Sequence, residues 1–231
     1  MKKNHWCFAE RGEFHKQNNM LCEDKVISGE KMGMQYIALA DGAGSLKYCA
    51  EGAECAVNAI AEYVADNFER LLSESLIKAK YTIWSYVIYS IKEISMGRNI
   101  KMFGSTLLFV GVKNGKYISF HLGDGFIAAK SKTTFKVISP PMNGLSKRYT
   151  YLTTTDEAYK FVRLLRGDDR YTAFLLSSDG CDEEIINEEK RVQHVIEEML
   201  EKKHGEKTLR NYLNKRKEKL QDDYSMAFMT V

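Results

Sequence analysis

The stretch ALADGAGSLKYCAEGAECAV, residues 38–57, carries the pattern that decides the fold. A short apolar run stops at Asp41, and small residues follow it directly. A carboxylate at the end of a buried strand is unfavourable unless a partner or a metal ion compensates its charge. The next residue, Gly42, indicates a special turn or a backbone that approaches a ligand closely. The stretch therefore predicts a strand that ends at a functional carboxylate.

Two further apolar runs end in the same way. ISFHLGD stops at Asp124 and AFLLSSD stops at Asp179, and a glycine follows each aspartate. One Asp-Gly pair alone is more often a turn than a ligand, but three at strand ends, without a matching Lys or Arg at each, favour a shared site. Converging carboxylates would offer only oxygen ligands, which suit magnesium or manganese better than zinc. Acid pairs also precede two other strand-like stretches, at Glu23-Asp24 and Asp222-Asp223.

Composition sets the broad class. The 231 residues, 44% of them hydrophobic, predict one globular domain over 1–231. The net charge of +3 argues against a nucleic-acid partner. The five cysteines form no CxxC pair, which favours a reducing compartment. With no signal peptide and no apolar run near the ~20 residues of a membrane span, we expect a cytoplasmic protein without a membrane partner.

The apolar periodicity predicts an α+β protein. Helices are expected at 50–72, 73–95, 188–203 and 206–220. Ser73 is predicted as the N-cap of the second helix. Asn114-Gly115 lies between two β-like runs and predicts a hairpin. Further strands are expected at 126–130, 134–139, 148–155, 159–165, 172–179 and 224–231. Many antiparallel strands with separate helix pairs are most simply a sheet sandwich covered by helices.

Five motifs in register resemble the metal-dependent protein phosphatases of the 2C class. They are ALADGAGS, FGSTLLFVGV, FHLGDG, FLLSSDG and DDYSMAFMTV. The similarity runs from about Gly12 to Val231 and is greatest to a compact bacterial branch of that class. It implies a four-layer α-β-β-α sandwich, in which two stacked, mainly antiparallel sheets are flanked by helix pairs. The acids of the family meet at one edge of this sandwich.

The resemblance also implies a binuclear centre for Mn²⁺ or Mg²⁺. By that correspondence, Asp41 bridges two ions and the Gly42 carbonyl binds the second, while Asp179 and Asp222 hold the first. Asp41, Asp179 and Asp222 are then catalytic through a metal-activated water, which hydrolyses a phosphomonoester without a covalent enzyme intermediate.

Three more acids receive roles from the same resemblance. Glu23 and Asp24 match an early acid pair of the family that mostly holds metal-bound waters. Asp124 matches the acid of a third, more weakly held ion. Relatives usually carry Ser-Arg directly after this aspartate, whereas this chain has Gly125-Phe126.

Two departures concern the phosphate group. Many relatives grip phosphate with an arginine four residues before the early acid pair, where this chain has Asn19. Arg11, Lys16 and His15 are the candidate substitutes for phosphate binding. Some relatives have a histidine two residues after the bridging aspartate, where this chain has Ala43, and His15 could serve as the leaving-group acid in its place.

Three functions remain open at this point. The first is a Ser/Thr protein phosphatase that acts on a phosphorylated protein, opposes a cognate Ser/Thr kinase in signalling, and is a monomer. The second is a catalytically silent module that binds metal or a phosphorylated partner. Asn19 and Ala43 slightly favour this interpretation, and the intact Asp41, Asp179 and Asp222 disfavour it. The third is a phosphatase of a small phosphorylated metabolite.

Overall fold

Two antiparallel sheets of five strands each form the centre of the computed structural model, which describes residues 4–142, 150–168 and 170–231. The strands are β1 (His5–Glu10), β2 (Lys25–Lys31), β3 (Met34–Ala40), β4 (Leu107–Lys113), β5 (Lys116–Leu122), β6 (Phe126–Lys130), β7 (Phe135–Ser139), β8 (Arg163–Asp168), β9 (Ala173–Ser177) and β10 (Tyr224–Thr230). One sheet has the order β1-β10-β9-β6-β7 and the other β2-β3-β4-β5-β8. All these neighbouring strands run antiparallel, as expected.

Helices cover the outer faces of both sheets. The described α-helices are α1 (Glu13–Gln17), α2 (Cys49–Ser73), α3 (Leu76–Ser95), α4 (Asp182–Ile185), α5 (His194–Leu200) and α6 (Gly205–Asn214), of which α1 lies at the edge of the sandwich against the segment at 220–221. The pair α2–α3 packs on the sheet that contains β3, and α5–α6 pack on the sheet that contains β10. Among the described helices, none combines the length and the apolar character that a membrane crossing requires. The layer order is α-β-β-α, which confirms the predicted fold.

Strand β3 shows why the chain forms stacked sheets. Its side chains alternate between two cores, because successive residues of a strand point to opposite faces. Ala38 and Ala40 pack under α2 and α3, whereas Ile37 and Leu39 pack between the two sheets. A strand buried on both faces is apolar along its length, and this accounts for the run that leads to Asp41.

The Asn114-Gly115 hairpin is confirmed. These two residues join β4 to β5 and have φ angles of 50° and 70°. Positive φ at both positions is the geometry of the two-residue turn whose twist matches that of paired strands. The hairpin places the end of β5 beside the start of β4, where Leu122 pairs with Leu107.

Two predictions about local structure were wrong. Ser73 is the last residue of α2, one residue beyond the predicted end of that helix, and Ser75 is the N-cap of α3. The predicted strand at 148–155 falls partly on residues 148 and 149, outside the described ranges. Its described part is not a strand of either sheet. Instead, Trp84 Nε1 donates to the Thr153 carbonyl at 2.9 Å, and Thr153 N–H donates to the Ser105 carbonyl at 2.8 Å.

The sheet register gathers several strand ends at one edge. Ser177, the last residue of β9, pairs with Met226 near the start of β10 and with Phe126 at the start of β6. In the other sheet, Leu39 near the end of β3 pairs with Leu108 near the start of β4. Since neighbours run antiparallel, the residues that follow β3, β5 and β9 and precede β10 come to the same end of the sandwich.

Candidate metal centre

Three of the predicted acids meet at this edge. Asp41 follows β3, Asp124 follows β5 and Asp179 follows β9. One carboxylate oxygen from each lies within 4.8 Å of those of the other two. The triad therefore unites the three Asp-Gly sites, although up to 138 residues separate its members along the chain.

Asp41 is held through its backbone. Its N–H donates to Thr106 Oγ1 at 2.9 Å, and its carbonyl accepts the Thr106 N–H at 2.8 Å. The next residue, Gly42, is tightly packed, since a Cβ there would lie 3.0 Å from the Glu23 carbonyl oxygen and 3.1 Å from the Cys49 carbonyl carbon. Packing against the Glu23 loop and the start of α2 therefore favours a small residue after the aspartate.

Asp179 is placed by the strand pair β9–β10. Ser178 N–H donates to the Ser225 carbonyl at 3.1 Å, and Ser225 N–H donates to Ser178 Oγ at 2.9 Å. A Cβ at Gly180 would lie 2.0 Å from the Asp223 carbonyl oxygen, so this glycine permits a close backbone approach. The segment that carries Asp179 therefore lies directly against the segment at 222–223.

A cavity of about 500 Å³ opens beside the triad. Asp41 and Asp222 are both in its wall, together with Glu23. The remaining lining residues are Phe14, His15, Met20, Gly42, Ala43, Gly44, Gln221 and Asp223. Asp41 is common to the triad and to the cavity, which makes it the centre of the site.

Burial and mutual repulsion raise the pKa values of these acids. Burial, followed by the charges of Asp24 and Asp179, raises the pKa of Asp41 well above its usual range. Asp179 is exposed as a whole residue, but desolvation of its carboxylate by the surrounding site, followed by the charges of Asp124 and Asp222, raises its pKa to about 7. Burial is also the largest cause that raises the pKa of Asp124. Such shifts mean that the ionised cluster is unfavourable without a compensating cation.

Asp24 is the most buried acid of the site. It is 2% exposed, and neither of its carboxylate oxygens has a hydrogen-bond partner among the described residues. Burial raises its pKa to about 6. A buried carboxylate without partners is rare unless a proton or an ion satisfies it. The donor set around Asp41 consists of carboxylate oxygens, so these residues fit hard divalent ions such as Mn²⁺ and Mg²⁺.

The three candidate phosphate ligands occupy different surroundings. Arg11 Nη1 donates to the Met20 carbonyl at 3.1 Å, and Lys16 Nζ pairs with Glu13 at 3.1 Å. His15 is buried and is in the cavity wall. Of the three, His15 is thus the one that lines the same cavity as Asp41.

Two residues of the site were missed from the sequence. Asp223 is 4% exposed and accepts the N–H groups of Gly12, at 3.0 Å, and of Glu23, at 2.7 Å. Thr106 carries the two hydrogen bonds to Asp41 described above. The doubled acid before β10 was a signal for Asp223. No local pattern distinguishes Thr106, because its partner lies 65 residues away.

The departures from the usual family pattern have local structural roles. Asn19 has a φ of 54°, in the left-handed region that Asn and Gly tolerate best. It follows α1 in the turn that leads to Glu23. A Cβ at Gly125 would lie 2.5 Å from the Ser177 carbonyl oxygen, so the turn after Asp124 packs closely on β9.

Solved structures share this architecture over nearly the whole chain. A bacterial serine phosphatase matches with a TM-score of 0.72 and 12% identity, over 99% of this chain and 97% of that one. The Mycobacterium tuberculosis serine/threonine phosphatase PstP/Ppp matches with a TM-score of 0.69 and 14% identity, over 99% and 98%. RsbX in complex with magnesium matches with a TM-score of 0.61 and 13% identity, over 99% and 94%. At these identities the similarity defines the fold.

The class that fold and site define is that of the protein-serine/threonine phosphatases. The sequence profile of the protein phosphatase 2C family matches residues 11–215, and the chain belongs to this family. None of the curated protein sequences compared with the chain matches it significantly.

Proposed function

We propose that this chain is a manganese- or magnesium-dependent phosphatase that hydrolyses phosphoserine or phosphothreonine in proteins. The observation that carries the proposal is the triad of Asp41, Asp124 and Asp179, whose carboxylate oxygens lie within 4.8 Å of one another in a chain of the 2C family. The magnesium complex of RsbX, a protein of similar fold, supports the choice of ion.

The acids at this edge would hold the ions. Asp41, the Gly42 carbonyl, Asp179 and Asp222 are the proposed ligands of two ions, and Asp124 is the proposed ligand of a weaker third. When bound, divalent ions lower the pKa of a nearby water and polarise the phosphoryl group. The chain contributes by holding Asp41 rigidly through Thr106.

The early acid pair, of which Glu23 is half-buried and Asp24 is buried, would support this centre. We propose that Glu23 and Asp24 accept hydrogen bonds from water around the ions. Glu23 lines the cavity, and its N–H is tied to Asp223. Burial raises the pKa of Glu23, as it does that of Asp24, so both acids gain from a nearby cation.

A covalent route through cysteine is disfavoured. Burial raises the pKa values of the Cys22, Cys49 and Cys181 thiols to about 12. The thiolate is the nucleophilic form, and these residues are therefore almost entirely protonated at neutral pH. A water positioned at the acidic edge remains the nucleophile that the site supports best.

We propose that His15 contacts the phosphate or the leaving group, since it lines the cavity with Asp41 and Asp222. Arg11 and Lys16 keep the intramolecular partners described above, and we propose that they contribute to the local charge that attracts phosphate. We also propose that the substrate is a phosphorylated protein, that a cognate kinase opposes the phosphatase, and that the protein is a monomer.

The decisive experiment compares substrates at 1 mM manganese: phosphoserine and phosphothreonine peptides, an aryl phosphate and a panel of phosphorylated metabolites. We expect manganese-dependent release of phosphate, with peptides preferred by kcat/KM. Release of phosphate from metabolites alone would show that the substrate is a small phosphorylated metabolite and not a phosphorylated protein. Manganese binding without release of phosphate from any compound would favour the catalytically silent module. The presence of Asn19, where many relatives have an arginine, supports that alternative.

A further inference from the structure

A series of hydrogen-bonded polar side chains ends at the turn that carries Asp124. The proposed function does not use this series. His121, on β5, is completely buried, and its Nδ1 lies 2.6 Å from Ser139 Oγ. Arg163 Nη1 donates to the same Ser139 Oγ at 3.0 Å. On its other side, His121 Nε2 lies 3.0 Å from the carbonyl oxygen of Gly123.

The donors and acceptors allow one arrangement of hydrogens. The Gly123 carbonyl can only accept, so Nε2 of His121 carries the proton and donates. Arg163 can only donate, so the hydroxyl hydrogen of Ser139 is free to be donated to Nδ1. Burial, followed by the charge of Arg163, lowers the pKa of His121 to about 3, and the ring is therefore neutral at physiological pH.

The Gly123-Asp124 turn, at which this series of hydrogen bonds ends, is also constrained by packing on its other side. Gly123 has a φ of 118°, and a Cβ there would lie 2.5 Å from Cγ2 of Thr106. The Gly123 carbonyl also accepts the Met142 N–H at 2.9 Å. Thr106 is the residue that holds Asp41 through two hydrogen bonds. The backbone of Gly123 thus lies between the His121 ring and Thr106, the residue that holds Asp41.

We propose that His121, Ser139 and Arg163 are positioning residues that hold the Gly123-Asp124 peptide, and that they thereby set the affinity of the ion which Asp124 helps to bind. This inference rests on the proposed function, because it takes Asp124 as a metal ligand. Residues that orient a metal ligand through hydrogen bonds typically change metal affinity ~10–100-fold.

The test compares two substitutions of His121. His121→Phe keeps a ring of similar size and removes both hydrogen bonds. We expect the manganese concentration for half-maximal activity to rise ~10-fold or more, and the weakest binding step in calorimetry to weaken equally, while KM for the phosphopeptide stays unchanged. His121→Gln can again donate to the Gly123 carbonyl, and we expect it to recover part of the affinity.

Ser119→Ala is the matched control. Ser119 is buried two residues earlier on β5, and its hydroxyl donates to the Leu165 carbonyl at 3.4 Å. This variant loses a side-chain hydrogen bond from the same strand and leaves the hydrogen bonds of His121 in place. We expect its manganese titration to match that of the wild type.

Two further measurements keep the outcome decisive. If His121→Phe does not fold, Ser139→Ala can be used instead, because it removes the hydroxyl that connects His121 to Arg163. This variant should also weaken manganese binding. Nitrogen NMR of the metal-free wild type should show the Nε2–H tautomer at His121, and the Nδ1–H tautomer would overturn the inference. Folded His121→Phe or Ser139→Ala with wild-type manganese affinity would also overturn it. A wild-type chain that binds no manganese would instead overturn the proposed function, and this inference with it.

Discussion

The Nδ1 atom of His15 lies 2.8 Å from Oδ1 of Asp223, and both side chains are almost completely buried. The same Asp223 carboxylate accepts the N–H groups of Gly12 and Glu23. One side chain therefore joins α1, the loop of the early acid pair and the start of β10. His15, Glu23 and Asp223 of this junction lie in the cavity wall, and the junction is held by contacts that span about 200 residues of sequence.

Removing this carboxylate should destabilise the protein. Hydrogen bonds to charged groups contribute about 1.5–3 kcal/mol each, and Asp223→Ala loses two of them together with the contact to His15. We expect the free energy of unfolding in urea to fall by at least ~2 kcal/mol. Asp223→Asn keeps one acceptor oxygen and should lose less.

The control for this prediction is Asp156→Ala. Asp156 is exposed and pairs with Lys101 at 3.2 Å, and such surface pairs contribute ~0–1 kcal/mol. Equal losses of stability for Asp223→Ala and Asp156→Ala would show that the junction is not a main support of the site.

Asp41→Asn should abolish most activity with the fold intact. The substitution keeps the shape but removes the charge at the centre of the triad. We expect kcat/KM to fall by more than the ~10–100-fold typical of residues that only orient a ligand. Asp66→Asn, an exposed change on α2, is the control and should leave phosphate release unchanged. Near-normal turnover by the folded Asp41→Asn variant would contradict the assignment.

Manganese should raise the melting temperature. Ions that bind only the folded chain stabilise it by ~2.7 kcal/mol at a hundredfold excess over the dissociation constant. For a chain of this size that corresponds to about 5–10 °C, measured by calorimetry. Calcium should also raise it without supporting turnover. Asp41→Asn should lose most of the shift, and an equal ionic strength of potassium chloride should not reproduce it.

Stability without metal should fall as the pH rises. The pKa values of Asp24 and Asp179, raised to about 6 and about 7, mean that the folded state favours the protonated carboxyls. The stability they contribute is fully present below their unfolded pKa, about 4, and is lost as the pH rises through 6 and 7. In EDTA, the unfolding free energy of Asp179→Asn minus that of the wild type should grow across this window. A constant difference would be inconsistent with these shifts.

Asp124→Ala should separate the third ion from the other two. Neither tight ion is proposed to depend on this carboxylate, so calorimetry should retain two binding steps and lose the weakest. We expect kcat to fall ~10-fold or more with little change in KM, as for an interaction made mainly in the transition state. A loss of stability with unchanged kcat would identify Asp124 as a turn residue instead.

Local patterns were sufficient for much of the fold. The apolar run before Asp41, the Asn114-Gly115 turn and the long apolar stripe of α2 each encode their structure within a few residues. The described part of the 148–155 stretch was misread because tertiary contacts, such as that of Trp84 with Thr153, override local preference. Ser73 was misread because the N-cap of α3 lies two residues later, at Ser75. The predictions of one domain over 1–231, a cytoplasmic location and a monomer remain predictions.

What the sequence by itself determined is which residues can bind a hard ion and that each lies at the end of a strand, since both follow from residue type and two-residue periodicity. Only the tertiary structure decided that Asp41, Asp124 and Asp179 meet within 4.8 Å, and that His15 rather than Arg11 lines the cavity beside them. It also made Asp223 a structural support beside the exposed Asp222. The physical reason is that these relationships depend on sheet register and packing between distant segments, which no short stretch of residues encodes.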